Sequence, residues 1–279
     1  MTNRNDKVFR LVGITCTFLG LFLLTLFLAD IVQQGAGRLS WQFLSRLPSR
    51  FPEKAGIYTA LAGSFYILIL TGLLAVPVGV GAGIYLEEYI KKNWVASLVE
   101  INILNLAGIP SIIYGLLGLG LFVQALHWGS SVLSAAATLA LLVLPTIIVS
   151  TREAVKAVPG SIREASYGLG ATHWQTVWFQ VLPAAAGGIT TGVILALLRA
   201  IGEAAPLVAI GVLAYVPFAP TSPFDAFSAL PVQIFNWIDR PQLGFKATAA
   251  AAIIVLLLVT FVFNGIAIYL RSRWQQNRP

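Results

Sequence analysis

The chain has 279 residues, of which 57% are hydrophobic and only 10% are charged, and its mean hydropathy is +0.82. Soluble domains carry about 25% charged residues, so this composition excludes a soluble protein and predicts an integral membrane protein. The net charge of +7 and the pI near 9.8 do not indicate nucleic-acid binding, because the basic residues follow a pattern that membrane topology explains.

Uncharged stretches of the chain predict six membrane-spanning helices, since about 20 apolar residues cross one bilayer. The uncharged run Ile101–Thr151 is long enough for two crossings, and His127, Trp128 and Gly129 indicate the turn between them. The predicted helices cover residues 10–31, 58–86, 97–125, 131–150, 185–212 and 247–270. Because no linker or repeat divides the chain, we expect residues 1–279 to form a single membrane domain.

The basic residues in the loops predict the orientation, because short cytoplasmic loops carry an excess of Lys and Arg. Eleven lie on the side of both termini: Arg4, Lys7, Arg10, Lys91, Lys92, Arg152, Lys156, Arg163, Arg271, Arg273 and Arg278. Six lie on the other side: Arg38, Arg46, Arg50, Lys54, Arg240 and Lys246. We therefore expect both termini, and the segment 151–184 that we call the insert, to be cytoplasmic.

The second predicted helix contains three alternating glycines, Gly79, Gly81 and Gly83. A phosphate-binding loop of the Walker A type needs a lysine after its last glycine, and no lysine follows here. Small residues in a membrane span allow close contact between helices. The glycines therefore predict helix packing.

Acidic residues follow at the end of the same helix. Glu87 and Glu88 precede Lys91 and Lys92 by four residues each. This spacing is typical of ion pairs along one helix. We expect a solvated, salt-bridged face at this point.

A proline interrupts the third predicted helix near its middle, at Pro110, and Ser111 follows it. A proline removes one helical hydrogen bond and leaves backbone groups free. The Ser111 hydroxyl can then bond either a freed backbone group or a passing anion, and the packing role is the favoured one.

The insert predicts two short helices separated by a glycine. Ser161 and Glu164 have the spacing of a capping box, and Gly170 suits the end of the first helix. Thr172 and Gln175 repeat the capping spacing for the second helix. One small-residue face is expected from Ile162, Ala165, Ser166 and Leu169, and one bulkier apolar face from Trp174, Val177, Trp178, Val181 and Leu182.

The fifth predicted helix contains two charged residues, Arg199 and Glu203, four positions apart and hence on one helix face. A charge at the bilayer centre costs about 2.5 to 3.5 kcal/mol, so such residues normally face protein or water. The pair either neutralises itself or presents the arginine to an oxyanion, whose geometry suits a guanidinium. Pro206 is expected to break or kink this helix.

Two segments on the side opposite the termini contain several prolines and glycines. They cover residues 32–56 and 213–245. This composition predicts ordered loops with short helical turns. Docking of a soluble partner and simple connection of the helices remain equally open readings.

The insert resembles the EAA loop of ABC importer permeases, whose consensus is E-A-A-x-x-x-G-x(9)-I-x-L-P. The matching residues are Glu164, Ala165, Ser166, Gly170, Leu182 and Pro183, with Ser166 replacing the second alanine and Gln180 replacing the isoleucine. The resemblance implies an all-α membrane protein with the six-helix, MetI-like fold of type I ABC importers, with this loop between helices 4 and 5. It also implies that Arg163, Glu164, Ala165, Ser166 and Gly170 couple the chain to a cytoplasmic ATPase.

Three further stretches are similar to phosphate importer permeases of the PstA type: PVGVGAGIYLEEY from Pro77, GIPSIIYG from Gly108 and RAIGEAAPL from Arg199. This resemblance implies a non-catalytic subunit in the bacterial inner membrane that binds no cofactor or metal. The implied partners are a second permease of the PstC type, two ATP-binding subunits of the PstB type and an external phosphate-binding protein of the PstS type. Arg199, Glu203 and Ser111 are the residues expected along the phosphate path.

Other functions remain open at this point. The chain can be the PstC-type paralogue, or a permease for sulfate or molybdate. An ion-coupled transporter, with Arg199 and Glu203 as a relay, is a more distant alternative, because such a protein needs no helices exposed to an ATPase. A membrane-embedded enzyme has no support, since no nucleophile lies near a base and the two histidines are too far apart in sequence to predict a metal site.

Overall fold

The computed structural model describes residues 4–90 and 93–276, and these residues are almost entirely helical. They contain no β-strand; one isolated antiparallel bridge joins Ser131 to Ala226. The helices are α1 (Arg4–Gly35), α2 (Trp41–Ser45), α3 (Tyr58–Ile84), α4 (Trp94–Ala107), α5 (Ser111–Gly118), α6 (Val132–Lys156), α7 (Gly160–Gly168), α8 (His173–Thr176), α9 (Leu182–Gly202), α10 (Ala205–Ala209), α11 (Leu230–Ile238) and α12 (Gly244–Gln276). Wider π-helical turns extend α3, α5 and α8 over Tyr85–Tyr89, Leu119–Ala125 and Val177–Val181.

Five helical stretches in this part of the chain are long and apolar enough to cross a bilayer: Val8–Arg38, Tyr58–Tyr89, Val132–Lys156, His173–Gly202 and Gly244–Ile266. Helices α4 and α5 together pass the same test, but they are bent by 99° at the break between them. The six predicted spans are compatible with this architecture. The predicted interruption at Pro110 is confirmed and is much sharper than a kink.

Two predicted helix boundaries are wrong for physical reasons. Helix α6 continues to Lys156, because charged residues end the apolar stretch without ending the helix. The fifth predicted span does not reach residue 212, since α9 ends at Gly202 and Glu203 is extended. Pro206 explains this end, because its ring would clash with the carbonyl of Gly202 in a continuous helix.

Helix α6 lies at the centre of the bundle, between α3 and α9. In the most apolar 18-residue stretch of α6, 67% is buried inside the protein, whereas 0% of the corresponding stretch of α1 is buried. Small residues such as Ala135, Ala136 and Ala140 line the buried side of α6. Helix α1 therefore presents its most apolar stretch outward, while Ile31 and Gly35 near its end are buried.

Glycines bring α3 close to α6, as the sequence predicts for two of the three positions. A Cβ atom on Gly79 would lie 2.6 Å from Cγ2 of Ile147, and one on Gly83 would lie 2.6 Å from Cβ of Thr151. The prediction is wrong for Gly81, which faces open space with no atom within 4 Å. Of these three positions, packing therefore requires glycine at Gly79 and Gly83 but not at Gly81.

The bundle has two ends, which we call the insert face, where the insert lies, and the opposite face. At the opposite face the two proline-rich segments are ordered and contain α2 and α11, which confirms the predicted short helical turns. They pack together through aromatic rings, with Trp237 6.3 Å from Phe43 and 6.2 Å from Phe245. Backbone hydrogen bonds from Ser222 and Thr221 lower the pKa of Asp225 and order the loop before α11.

Candidate functional site

The first helix of the insert, α7, begins at Gly160, directly after Pro159, and has no side-chain cap. The predicted capping box of Ser161 and Glu164 is therefore wrong, because Ser161 already lies inside the first helical turn. The predicted end is confirmed. Gly170 has a φ of +82°, its amide donates to the Tyr167 carbonyl, and the next amide donates to the Ser166 carbonyl, which is the Schellman arrangement.

The second helix, α8, carries the predicted capping box. The Thr172 hydroxyl accepts from the Gln175 amide, and the Gln175 side chain accepts from the Thr172 amide. The π turn Val177–Val181 then joins α8 to α9 without a gap. The wider turn accommodates Pro183, which cannot donate a helical hydrogen bond.

Ser166 and Arg163, two of the predicted coupling residues, point into the protein. The Ser166 hydroxyl is buried and lies 2.9 Å from the Thr176 hydroxyl, so it joins α7 to α8. Arg163 donates twice to Oε1 of Glu88, at 2.6 and 3.2 Å. It also donates to the carbonyl of Val155, in the last turn of α6, and to that of Val158, just after the helix, at 3.0 and 2.8 Å.

The other predicted coupling residues, Glu164, Ala165 and Gly170, are exposed. Among the described residues, the Glu164 carboxylate has no hydrogen bond or ion pair. Leu169 is 90% exposed, although the predicted small-residue face had placed it with buried Ser166. The outward surface of α7 thus combines a free carboxylate with a bare apolar side chain.

His173 also contacts Glu88, and sequence reasoning missed this contact. Its Nε2 lies 3.1 Å from the Glu88 carbonyl, and its Nδ1 lies 2.7 Å from the Tyr167 hydroxyl. Because a carbonyl only accepts, Nε2 carries the hydrogen of this contact. In the sequence, the only sign of this contact is that the polar His173 ring lies in an otherwise apolar helix that contains tryptophans.

The acidic pair at the end of α3 has arginine partners from other helices. Glu88 pairs with Arg163, and Glu87 lies 3.3 Å from Nε of Arg152. Arg152 also pairs with Glu100 of α4 at 3.0 Å. The predicted partners, Lys91 and Lys92, lie outside the described residues.

The two broken spans meet near the opposite face. Helix α5 packs on α10, and a Cβ atom on Gly115 would lie 2.6 Å from both Pro206 Cα and Ala209 Cβ. The break before α5 and the break before α10 therefore belong to one region. This region contains all three predicted path residues, Arg199, Glu203 and Ser111.

Arg199 and Glu203 form the predicted ion pair, with Nε 3.4 Å from Oε1. The prediction that the two residues share a helix face is wrong, however, because Glu203 follows the last residue of α9 and is extended. The Arg199 side chain is 43% exposed. Its two terminal nitrogens donate to no residue in the described part of the chain, so the guanidinium fork is free.

Ser111 is the first residue of α5 and is half-buried. Its hydroxyl bonds no described residue, so it does not satisfy the backbone freed by the break. Tyr114 instead contacts the backbone beside the break, by donating at 2.8 Å to the Leu106 carbonyl, which also accepts from the Ile109 amide. Tyr114 also interacts electrostatically with Arg199, and it lies on the same face of α5 as Ser111.

Residues 75–276 match the family described as the binding-protein-dependent transport system inner membrane component. The chain is 34% identical to a probable ABC transporter permease protein, YqgI, of Bacillus subtilis, over 94% of this chain and 91% of that protein. It is 30% identical to the phosphate transport system permease protein PstA of Yersinia pestis, over 95% and 89%. It is 34% identical to PstA of Haemophilus influenzae, over 86% and 85%.

Solved structures with a similar fold come from ABC transporters. An inward-facing methionine ABC transporter, MetNI, matches with a TM-score of 0.63 and 19% identity, covering 78% of this chain and 97% of that chain. A bacterial alginate ABC transporter, solved with an alginate-bound periplasmic protein, matches with a TM-score of 0.63 and 13% identity, covering 96% and 93%. At these identities the likeness concerns the fold alone.

Proposed function

Because this chain belongs to the family of binding-protein-dependent transport system inner membrane components, we propose that it is the permease subunit through which an ATP-driven importer passes inorganic phosphate. The membership makes it a multi-pass membrane subunit of an ABC importer. The phosphate cargo, the individual partners and the orientation in the membrane are the parts that we propose.

The free guanidinium fork of Arg199 is the observation that supports phosphate as the transported substrate. Its Nε is held by Glu203, while its terminal nitrogens remain available at the meeting point of two broken spans. Such a fork matches the oxygens of a tetrahedral oxyanion. Relatives named as phosphate transport system permeases, at 30% to 34% identity, support phosphate over other oxyanions.

The path requires a second permease, because Arg199 lies on the surface of this chain instead of inside it. A subunit of the PstC type would cover the exposed region and close the path. Ser111, on the face of α5 that Tyr114 shares, would line the same path. The held but exposed arginine suits transient binding, which import needs, because tight binding would slow release.

The insert is the proposed contact with the ATP-binding subunits. Glu164 and Leu169 project outward from α7, while Arg163 and Ser166 fix the helix to the rest of the protein. We place the insert face and both termini in the cytoplasm, from the distribution of basic residues. The opposite face, with α2 and α11, would then meet the phosphate-binding protein outside.

Substitution of Arg199 tests the path. We expect Arg199→Gln to lower ATP-dependent phosphate uptake by about 13- to 160-fold, the equivalent of losing a hydrogen-bonded charge contact of about 1.5 to 3 kcal/mol. The measurement is uptake into proteoliposomes that contain this chain, its partner permease, the ATPase and the binding protein. Size-exclusion chromatography of the complex checks that assembly is kept.

Arg10→Gln is the matched control, because Arg10 is an exposed arginine of α1 that lies outside the insert and the opposite face. Uptake by this variant should equal that of the wild type. If Arg199→Gln also transports normally, Arg199 serves only to pair with Glu203, and the proposed path is wrong.

A further inference from the structure

Both helices of the insert hold the same residue at the end of the second span. From α7, Arg163 binds the Glu88 side chain through two donors. From α8, the His173 ring binds the Glu88 backbone carbonyl. One residue of α3's π turn is thus held by its side chain and by its backbone, from two different helices.

The Glu88 contact is sheltered from solvent. The Glu88 side chain is only 6% exposed and that of Arg163 is 20% exposed. Water and salt screen such a pair less than an exposed one. Removing one partner leaves a poorly solvated charge, so the two groups stay together when the insert moves.

The ring contacts strengthen the same connection. His173 packs edge-on against Tyr89, with 4.7 Å between ring centroids. Tyr89 closes the π turn Tyr85–Tyr89, in which the Ile90 amide donates to the Tyr85 carbonyl. Single π turns occur frequently at functional sites in helices.

The insert is connected to the fifth span and to the second span in different ways. Helix α8 runs through its π turn directly into α9, so movement of the insert reaches the fifth span along the chain itself. The second span lies far away in sequence, 75 residues from Arg163 at Glu88. Only non-covalent contacts can move it together with the insert.

We propose that Glu88 is a positioning residue that transmits movement of the insert to the second span. This inference rests on the proposed coupling of the insert to an ATPase, and not on the identity of the cargo. Through Glu88 the second and fifth spans would move as one body when the ATPase subunits close. Glu87 has no such role, because its partner Arg152 belongs to α6 and not to either helix of the insert.

Spin-label distances in the complete lipid-embedded complex test this proposal. The single cysteine, Cys16, is first replaced by alanine. One label pair, Val78→Cys with Leu258→Cys, reports the second span against α12, and another, Phe179→Cys with Leu258→Cys, reports the insert. All three positions are exposed. Distances are compared without nucleotide and with ATP and vanadate.

We expect both distances to shift on nucleotide binding in the wild type. In Glu88→Gln, the insert pair should still shift while the second-span pair does not, and uptake per ATP hydrolysed should fall about fivefold or more, within the usual range of coupling effects. Exchange of the charges, Glu88→Arg with Arg163→Glu, should restore the second-span shift. Glu87→Gln should behave as the wild type.

A second-span shift that persists in Glu88→Gln overturns the proposal, as does an equal loss in Glu87→Gln. An insert pair that does not respond to nucleotide in the wild type contradicts the coupling role and this inference with it. Wild-type complexes that show the expected shifts without transporting phosphate contradict only the proposed cargo, and the role of Glu88 then stands.

Discussion

Two arginines in this protein show how the same side chain serves different ends. Arg163 directs its donors at the Glu88 carboxylate and at two carbonyls at the end of α6, so it holds elements together. Arg199 is bound only through Nε. The number of donors left free, and not the residue type, distinguishes the arginine that can bind an anion from the arginine that fixes the fold.

The hydroxyl of Tyr114 is a single group whose contribution to the bend can be tested. Tyr114→Phe removes the hydrogen bond to the Leu106 carbonyl across the 99° bend and keeps the ring in place. A hydrogen bond of this kind contributes about 0.5 to 1.5 kcal/mol. We expect amide exchange around residues 106–110 to become roughly 2- to 12-fold faster by mass spectrometry. Unchanged exchange there would show that the bend does not depend on this hydroxyl.

At the scale of elements, the contact between α3 and α6 depends on two glycines that face the central helix. Gly83 lies against Thr151 and against the Ile148 carbonyl, whereas Gly81 faces open space two residues earlier. Both positions are glycines of the same helix, so an alanine substitution changes helix propensity equally at each. A difference between the two substitutions therefore measures the effect of packing.

We expect Gly83→Ala to lower the free energy of unfolding by about 1 to 3 kcal/mol, because the added methyl group meets backbone and a branched side chain. Gly81→Ala should be neutral, or stabilising by up to about 1 kcal/mol, because alanine is the better helix former. Thermal unfolding of the purified chain in detergent measures both. Equal effects of the two substitutions would contradict the described packing.

The exposed surface of α7 gives a second prediction at this scale. Glu164→Lys reverses the charge of a side chain that has no partner among the described residues, so the chain should still insert and fold. We expect the ATP-binding subunits to co-purify less well, or to hydrolyse ATP without transport. Asp6→Lys, at an exposed carboxylate in the first turn of α1, is the control that should leave both properties unchanged. Normal transport by Glu164→Lys would exclude the coupling role of this residue.

The elements and contacts that the sequence predicted are those set by neighbouring residues. Bilayer thickness sets the spans, and the cap at Thr172, the turn at Gly170 and the pair of Arg199 with Glu203 join residues at most five positions apart. The pair of Arg163 with Glu88 spans 75 positions, and only the packing of the bundle brings it together. The hydroxyl of Tyr114 reaches Leu106 only because the third span bends.

At the scale of the whole molecule, the chain is one part of a larger assembly. Its free arginine and its α1 helix both face outward, and the insert exposes a charged and an apolar side chain at one end of the bundle. A chain that worked alone would enclose its path. The exposed surfaces therefore fit a permease that completes its path with a second permease and receives its movement from ATPase subunits.

We propose that this assembly imports phosphate. To test this, ATP-dependent uptake of radiolabelled phosphate and sulfate is measured side by side in proteoliposomes that contain the wild-type chain, its partner permease, the ATP-binding subunits and the binding protein. We predict uptake of phosphate that requires ATP and that excess sulfate does not reduce. Equal or preferential uptake of sulfate, or uptake that does not require ATP, would show that the assembly is not an ATP-driven phosphate importer.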